Sequence, residues 1–415
     1  MTKMEIMAPV GSYESLMAAI QAGADSVYFG VGKLNMRSRS ANNFGLDDME
    51  RISSIAKQNN VRTYLTVNTI VYDDELEEMR IIVDKAKETG ISAIIASDMA
   101  VMEYARAVGV EIHASTQCNI SNLEAVRYYA RYADVIVTAR ELSLRQVSYI
   151  TKAISEQNIR GPKGNLVEIE VFAHGALCMS VSGKCYLSLD NYNYSANRGA
   201  CLQLCRREYL VIDLESDIEL VVDNKYIMSP KDLCTIGFLD KIVKAGVKVL
   251  KIEGRGRSAD YVKTVVECYR EALKAIAEGH YTKELIENLT ERLRTVFNRG
   301  FWDGYYLGRK MGEWAERYGS QATENKIFLG LVTNYFNRIG VAEARLQTAE
   351  TLGVGQEVMV TGATTGVYRS VVEEIHLDKG PVDEVAQGDV FSFKTKTPLR
   401  RGDKLYKVVK VVDEY

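Results

Sequence analysis

Through its first 280 residues the chain repeats one local pattern: a short β-branched, apolar run, then a longer run with apolar residues at helical spacing. Strands are read at 5–8, 26–29, 62–67, 93–96, 111–113, 135–138, 166–172 and 249–253. Helices are read at 13–22, 46–58, 75–88, 100–107, 123–131, 144–156 and from 229 to about 245. Each helix carries the chain back to the edge where the last strand began, so the strands lie parallel. Eight such units predict an α/β fold, a (β/α)8 TIM-like barrel, with a doubly wound open sheet as the alternative because strand count does not fix closure. Gly23 reads as a left-handed helix stop, and Ser229 with Pro230 as the N-cap and first residue of a helix. After the last strand, Val262, Val265, Val266, Tyr269, Leu273 and Ile276 fall on one helical face.

The repeat ends near residue 281. Residues 282–325 read as a helical connector packing on the barrel, punctuated by the run FNRGF. From 326 to 415 short alternating runs separated by glycine-containing turns predict a small C-terminal all-β barrel domain. Such barrels often meet RNA or a partner protein, a use that the fold alone does not establish.

Between the seventh and eighth strands the repeat is interrupted by an insertion of about 174–228. The stretch 170–205 holds four of the seven cysteines: Cys178 and Cys185 with six residues between them, Cys201 and Cys205 with three, and fifteen between the pairs. Gly175, Ala176, Gly183, Gly199 and Ala200 flank them and let the backbone fold tightly around something compact. Four thiolates in one segment suit a tetrahedral zinc or an iron–sulfur cluster. Structural thiols or two disulfides are the alternative. No run approaches the ~20 apolar residues that span a bilayer, and the N-terminus carries no leader pattern. The expectation is a cytoplasmic protein without a membrane partner, where thiolates stay free to bind metal.

If the barrel closes, its functional residues lie just after the strands, on the C-terminal face. Those junctions are polar: Arg37 and Arg39 in a loop running from Asn35 to Ser40, Asn68, Asp98, the run from His113 through Gln117 to Asn119, Arg140 with Glu141, His174, and finally Lys251, Glu253, Arg255 and Arg257. Any one arginine could serve a surface salt bridge. Together they predict a basic cavity for an anion, because the guanidinium fork matches carboxylate and phosphate oxygens. With 52 Lys+Arg against 55 Asp+Glu the net charge is −3, so an RNA contact would need such a local patch.

The stretch 170–188 resembles the signature of the U-32 peptidase family, the collagenase-like proteases, at Glu170, Phe172, Gly175, Ala176, Leu177, Cys178, Gly183, Cys185, Leu187 and Ser188. Further similar runs occur in order: APVGS near the start, Ser115–Gln117 with Asn119, SPKDLC, KIEGRGRS and FNRGF. The C-terminal β-module also looks like one that some members carry.

This resemblance implies a 4Fe–4S cluster on Cys178, Cys185, Cys201 and Cys205, with Cys234 in reserve and zinc as the alternative metal. It implies RNA hydroxylation, at C5 of the tRNA wobble uridine ahead of a 23S ribosomal RNA cytidine, with prephenate, a small dicarboxylate, as co-substrate. The partners implied are tRNA or ribosomal RNA and the dicarboxylate, with protein partners as a further possibility. Under this reading Arg37, Arg39, Arg140, Arg255 and Arg257, with Asn68 and Gln117, bind substrate. His113, His174 and Glu253 are the candidates for proton transfer. Tyr186, Tyr192 and Tyr194 could stack on an exposed base, although packing around the insertion is the favoured reading. Cys118 and Cys268 read as ordinary buried thiols.

A peptidase is the competing function, and a non-catalytic cluster or RNA-binding scaffold is the third. The sequence lacks G-x-S-x-G and H-E-x-x-H. A His174–Cys178 pair could make a nucleophile, but that use leaves three closely spaced cysteines unexplained.

Overall fold

A computed structural model describes residues 4–39, 43–209, 228–308 and 312–411. Ser40 of the rim loop, residues 210–227 of the insertion and the last residues, 412–415, lie outside that set.

The repeat folds as β1 (Glu5–Pro9), α1 (Tyr13–Gln21), β2 (Ser26–Gly30), α2 (Asp48–Gln58), β3 (Arg62–Val67), α3 (Leu76–Glu88), β4 (Ala93–Ala96) and α4 (Met99–Val108). It continues as β5 (Ile112–Ala114), α5 (Leu123–Tyr129), β6 (Val135–Val137), α6 (Leu144–Glu156) and β7 (Glu168–Gly175). The insertion carries α7 (Leu187–Tyr192), and then come β8 (Asp232–Cys234), α8 (Leu239–Lys244), β9 (Val249–Ile252), α9 (Ala259–Glu278), α10 (Lys283–Arg294) and β10 (Phe301–Trp302). Strands β1 to β7 pair in sequence order, β7 pairs with β9, and β9 pairs back to β1, all in parallel. The sheet is therefore a closed eight-stranded barrel and not an open doubly wound one.

Met7, Tyr28, Tyr64, Ala93, Ile95, Val135 and Val249 fill the barrel interior. The helices bury their apolar faces against its outside; on α9, Val262, Val265, Val266 and Tyr269 are fully buried. Among the described residues no helix is long and apolar enough to cross a membrane.

The helix expected from Ser229 does not form there. Residues 232–234 instead make β8, antiparallel to the end of β7 and parallel to β10, and the helix starts only at Leu239. The Ser229 hydroxyl takes a hydrogen bond from Arg206 Nη1 at 3.0 Å, and the Pro230 carbonyl takes another at 2.7 Å. Strand pairing and this arginine satisfy the groups that a cap would have used.

Beyond the barrel the chain is all antiparallel strand: β11 (Glu324–Phe336), β12 (Val341–Leu346), β13 (Leu352–Gly353), β14 (Glu357–Gly362), β15 (Gly366–Val371), β16 (Ile375–Leu377), β17 (Gly380–Val382), β18 (Glu384–Val385), β19 (Val390–Lys394) and β20 (Lys404–Lys410). Eight of these form one sheet in the order β15-β14-β20-β11-β12-β19-β16-β17, around its own apolar core. A small cluster, Ala18, Ala259, Met359 and Val367, joins that sheet to α1 and α9. Gln21 Nε2 donates to the Thr365 carbonyl at 2.7 Å, and Lys263 Nζ to that of Val367 at 2.9 Å.

Candidate functional site

At the C-terminal ends of the barrel strands lies a cavity of about 170 Å³. Its floor is made by residues that alternation turns inward: Tyr28, Thr66, Phe172 and Lys251. Its walls come from the strand ends, with Arg37 after β2, Asn68 after β3, Ser115 and Gln117 after β5, Arg140 after β6, and Glu253 with Arg255 after β9. The insertion supplies the remaining side, and Cys178, Cys185, Cys201 and Cys205 all border the cavity.

Two glycines explain how the insertion comes so close. Gly199 has φ +76°, and a Cβ there would run into the Asn35 carbonyl and Ser38 of the β2 loop. Gly183 has φ +75°, and a Cβ would meet Asn197 Oδ1 at 2.9 Å. Both need a left-handed backbone and no side chain.

The polar side chains interlock. Arg37 Nη2 pairs with Glu253 Oε1 at 2.8 Å. Burial pushes the Glu253 carboxyl up, but Arg37, followed by Arg257 and Arg140, holds it below the usual carboxylate range. Arg255 donates to Thr66 Oγ1 and to Asn35 Oδ1, each at 3.0 Å, and burial pushes its guanidinium down to about 10. Asn68 Oδ1 accepts from the Met36 amide at 3.2 Å, and its Nδ2 donates to Gln117 Oε1 at 3.2 Å. On the floor, Lys251 Nζ donates to Glu170 Oε1 at 2.8 Å. Arg140 differs from these. It stacks over the Phe172 ring at 4.0 Å, has no ion pair among the described residues, and its Nε is buried without a hydrogen-bond partner.

Six of the ten side chains proposed for catalysis or substrate binding thus border the cavity: Arg37, Asn68, Gln117, Arg140, Glu253 and Arg255. Four do not. His113 is inward-facing but a layer deeper, with Nδ1 3.2 Å from Glu170 Oε2 and Nε2 3.8 Å from Glu111 Oε1. His174 is buried behind the cavity wall against Tyr261, Tyr269 and Phe301, where burial and then Arg257 push its pKa down to about 3. Arg257 stacks 3.5 Å over Phe297 and lies 3.8 Å from Asp232. Arg39 is exposed, 4.7 Å over the Tyr194 ring.

The floor residues Tyr28, Thr66 and Phe172 were missed, although mid-strand alternation could have found them. Lys251 stood in the polar run after the last strand without a role. Arg206 was also missed; beside Cys205, it borders the cavity and donates to three groups, including the Leu177 carbonyl at 2.5 Å. Tyr186, Tyr192 and Tyr194 are not packed as favoured. Tyr186 is 73% exposed, Tyr192 49% and Tyr194 38%.

The seven cysteines are free thiols. Burial raises the pKa of Cys185, and that of Cys205 to about 11, and neighbouring cysteines of the same four add to each shift. The four thiols therefore sit close enough to feel one another's charge. Cys234 does not border the cavity; it faces His174 in the β7–β8 pairing. Among the described residues no three His, Cys, Asp or Glu side chains are gathered as ligands of one metal ion. Cys268 is buried as expected, whereas Cys118 is only partly so.

Residues 11–316 match the family model described as peptidase family U32. A collagenase of Porphyromonas gingivalis is 57% identical over 403 residues, 97% of each chain. A tRNA hydroxylation protein of Bacillus subtilis is 30% identical over 386 residues, covering 91% of this chain and 88% of the relative. A 23S rRNA 5-hydroxycytidine synthase of Escherichia coli is 31% identical over 384 residues, 90% of this chain and 55% of the relative.

Proposed function

This chain belongs to peptidase family U32, and from that premise we propose that it is an iron–sulfur RNA-hydroxylating enzyme that uses a small dicarboxylate such as prephenate. The target is a pyrimidine, the tRNA wobble uridine ahead of a 23S ribosomal RNA cytidine. One observation carries the reading: four cysteines and an unpaired arginine border the same cavity.

Cys178, Cys185, Cys201 and Cys205 would hold a 4Fe–4S cluster, which supplies one-electron redox chemistry when bound. A single zinc ion is the alternative, and it asks for sulfurs at about 2.3 Å from one point. The protein's own groups do the rest. Arg140 offers a guanidinium edge to a carboxylate, and Phe172 beneath it fixes the plane of that edge. Arg37 and Arg255 are already held by Glu253, Thr66 and Asn35, so they shape the cavity and set its positive field. Glu253 and Lys251 are the titratable groups at hand to take or give a proton there.

The 57% identity to a protein named collagenase keeps peptide cleavage as the second reading. A cysteine peptidase needs a thiol and a base in hydrogen-bond reach. Among the described residues no hydrogen bond joins a cysteine to a histidine, and neither His113 nor His174 borders the cavity.

Nucleoside mass spectrometry on a deletion strain separates the two. Loss of a 5-hydroxylated pyrimidine, restored by the wild-type gene but not by Cys178→Ala, is the expected result. Intact RNA modification, with gelatin cleavage by the protein purified free of other proteases, would overturn it.

A further inference from the structure

A cavity of about 170 Å³ admits one small molecule, less than the usual ligand pocket of several hundred Å³. A polynucleotide must therefore meet this site at its mouth. The residues that adjoin its lining in sequence are aromatic and cationic. Tyr186 adjoins Cys185 and at 73% is more exposed than Tyr192 or Tyr194. Arg39, two residues beyond Arg37, stands 4.7 Å over the Tyr194 ring. Arg207, beside Arg206, lies 5.6 Å over the Tyr192 ring and donates to its hydroxyl at 3.1 Å.

Neither Arg39 nor Arg207 has a carboxylate partner among the described residues, whereas many other surface arginines of the barrel do, such as Arg292 with Glu271. The two cations thus remain available for an anion. Stacking on an exposed ring stabilises a base whatever its identity, and it needs a base face that a duplex keeps hidden. Unpaired arginines beside such rings suit the phosphates between stacked bases. The chain's net charge of −3 makes this local arrangement necessary, because no global field would draw RNA in.

We propose that Tyr186, Tyr192 and Tyr194, with Arg39 and Arg207, form a docking rim for single-stranded RNA that holds unpaired bases at the cavity mouth. The inference rests on the RNA-hydroxylation reading and names how that substrate is engaged: as unpaired nucleotides, by stacking and phosphate contact.

The test is fluorescence anisotropy of the full chain, purified without air, against a short unstructured oligoribonucleotide and against the same sequence in a duplex. The single strand is expected to bind at least about tenfold more tightly than the duplex. The triple variant Tyr186→Ala, Tyr192→Ala, Tyr194→Ala should lose about 10–100-fold for the single strand. Arg39→Ala with Arg207→Ala should lower the slope of log affinity against log salt by about 1.4, at roughly 0.7 per phosphate contact. Tyr149→Ala, exposed on α6 and outside the rim, is the control and should bind as wild type. Circular dichroism melting checks that each variant is folded. Duplex binding as tight as single-strand binding, or unchanged affinity in the folded triple variant, overturns the rim while leaving the hydroxylation reading in place. No binding of either RNA by the wild type overturns both.

Discussion

Lys251 Nζ stands 2.8 Å from Glu170 Oε1 in the barrel interior, where Glu170 is fully buried and Lys251 is 6% exposed. The same carboxylate faces His113 Nδ1 through its other oxygen at 3.2 Å. Burial alone would push the Glu170 carboxyl up, but Lys251 and then His113 reverse this and hold it at about 2. Removing one member of such a pair strands the other charge. Glu170→Gln should cost about 3–5 kcal/mol in urea denaturation. Glu170→Leu with Lys251→Met should cost less than Glu170→Gln alone, because neither charge is then left buried. A carboxyl depressed in the folded state stabilises fully above its unfolded value of 4.5, and that contribution is lost as pH falls from there toward about 2. Over that window the wild type should lose stability more steeply than Glu170→Gln.

Arg140 presents the opposite case, a cation without a counter-ion. Arg140→Ala removes no ion pair, so its unfolding free energy in urea should fall by only about 1–2 kcal/mol, the scale of a partly buried cation–π contact. Its effect should fall on ligand binding. Isothermal titration with prephenate should show a loss of about 10–100-fold, the value of a charge-assisted hydrogen bond. Arg140→Lys should recover only part of it, since a point charge cannot match two carboxylate oxygens. Equal binding by wild type and Arg140→Ala would remove Arg140 from the site.

The barrel was legible because each strand and helix announces itself locally, and the cysteines because their spacing is dense. Arg140 and Arg255 were legible because the end of a strand in a barrel is a known place. The strand-end rule gives position along the axis, not the direction of the side chain. His174 shows the difference. Glu170 and Phe172 face inward, and simple alternation would turn His174 inward as well. The β7–β9 register shifts between Phe172 and His174, and the histidine turns into the wall. Local pattern also failed at Ser229 and Pro230, where partners distant in sequence took the backbone groups. Arg206 was hidden because its acceptors at Leu177, Ser229 and Pro230 meet only in the folded insertion.

That outward turn takes His174 off the cavity lining and makes it a determinant of acid stability. Its imidazole is held down to about 3 from an unfolded value of 6.5, by burial first and by Arg257 second. In this window the unfolded chain binds a proton that the folded one refuses. The folded state is therefore favoured above pH 6.5, and it loses up to about 1.4 kcal/mol per pH unit from this group as the pH falls toward 3. His174→Phe, which keeps the aromatic contacts to Tyr261, Tyr269 and Phe301, should flatten the pH dependence of the urea midpoint over that range. An unchanged acid limb would mean that His174 takes up its proton without unfolding.

The four cavity cysteines and Cys234 separate by place, and metal content should follow that division. Cys201 borders the cavity with Cys178, Cys185 and Cys205, while Cys234 sits at the β7–β8 pairing beside His174. Protein purified without air should carry about four irons and four acid-labile sulfides per chain, the content of one cubane cluster. Cys201→Ser should lose most of both together with the visible absorption band, because a cluster held by three thiolates is labile. Cys234→Ser should retain them, since its thiol lies off the cavity. Loss of iron in Cys234→Ser with retention in Cys201→Ser would exchange the two in the ligand set. Stoichiometric zinc in place of iron would make the centre structural and turn attention to Arg140, Lys251 and Glu253 on the cavity lining.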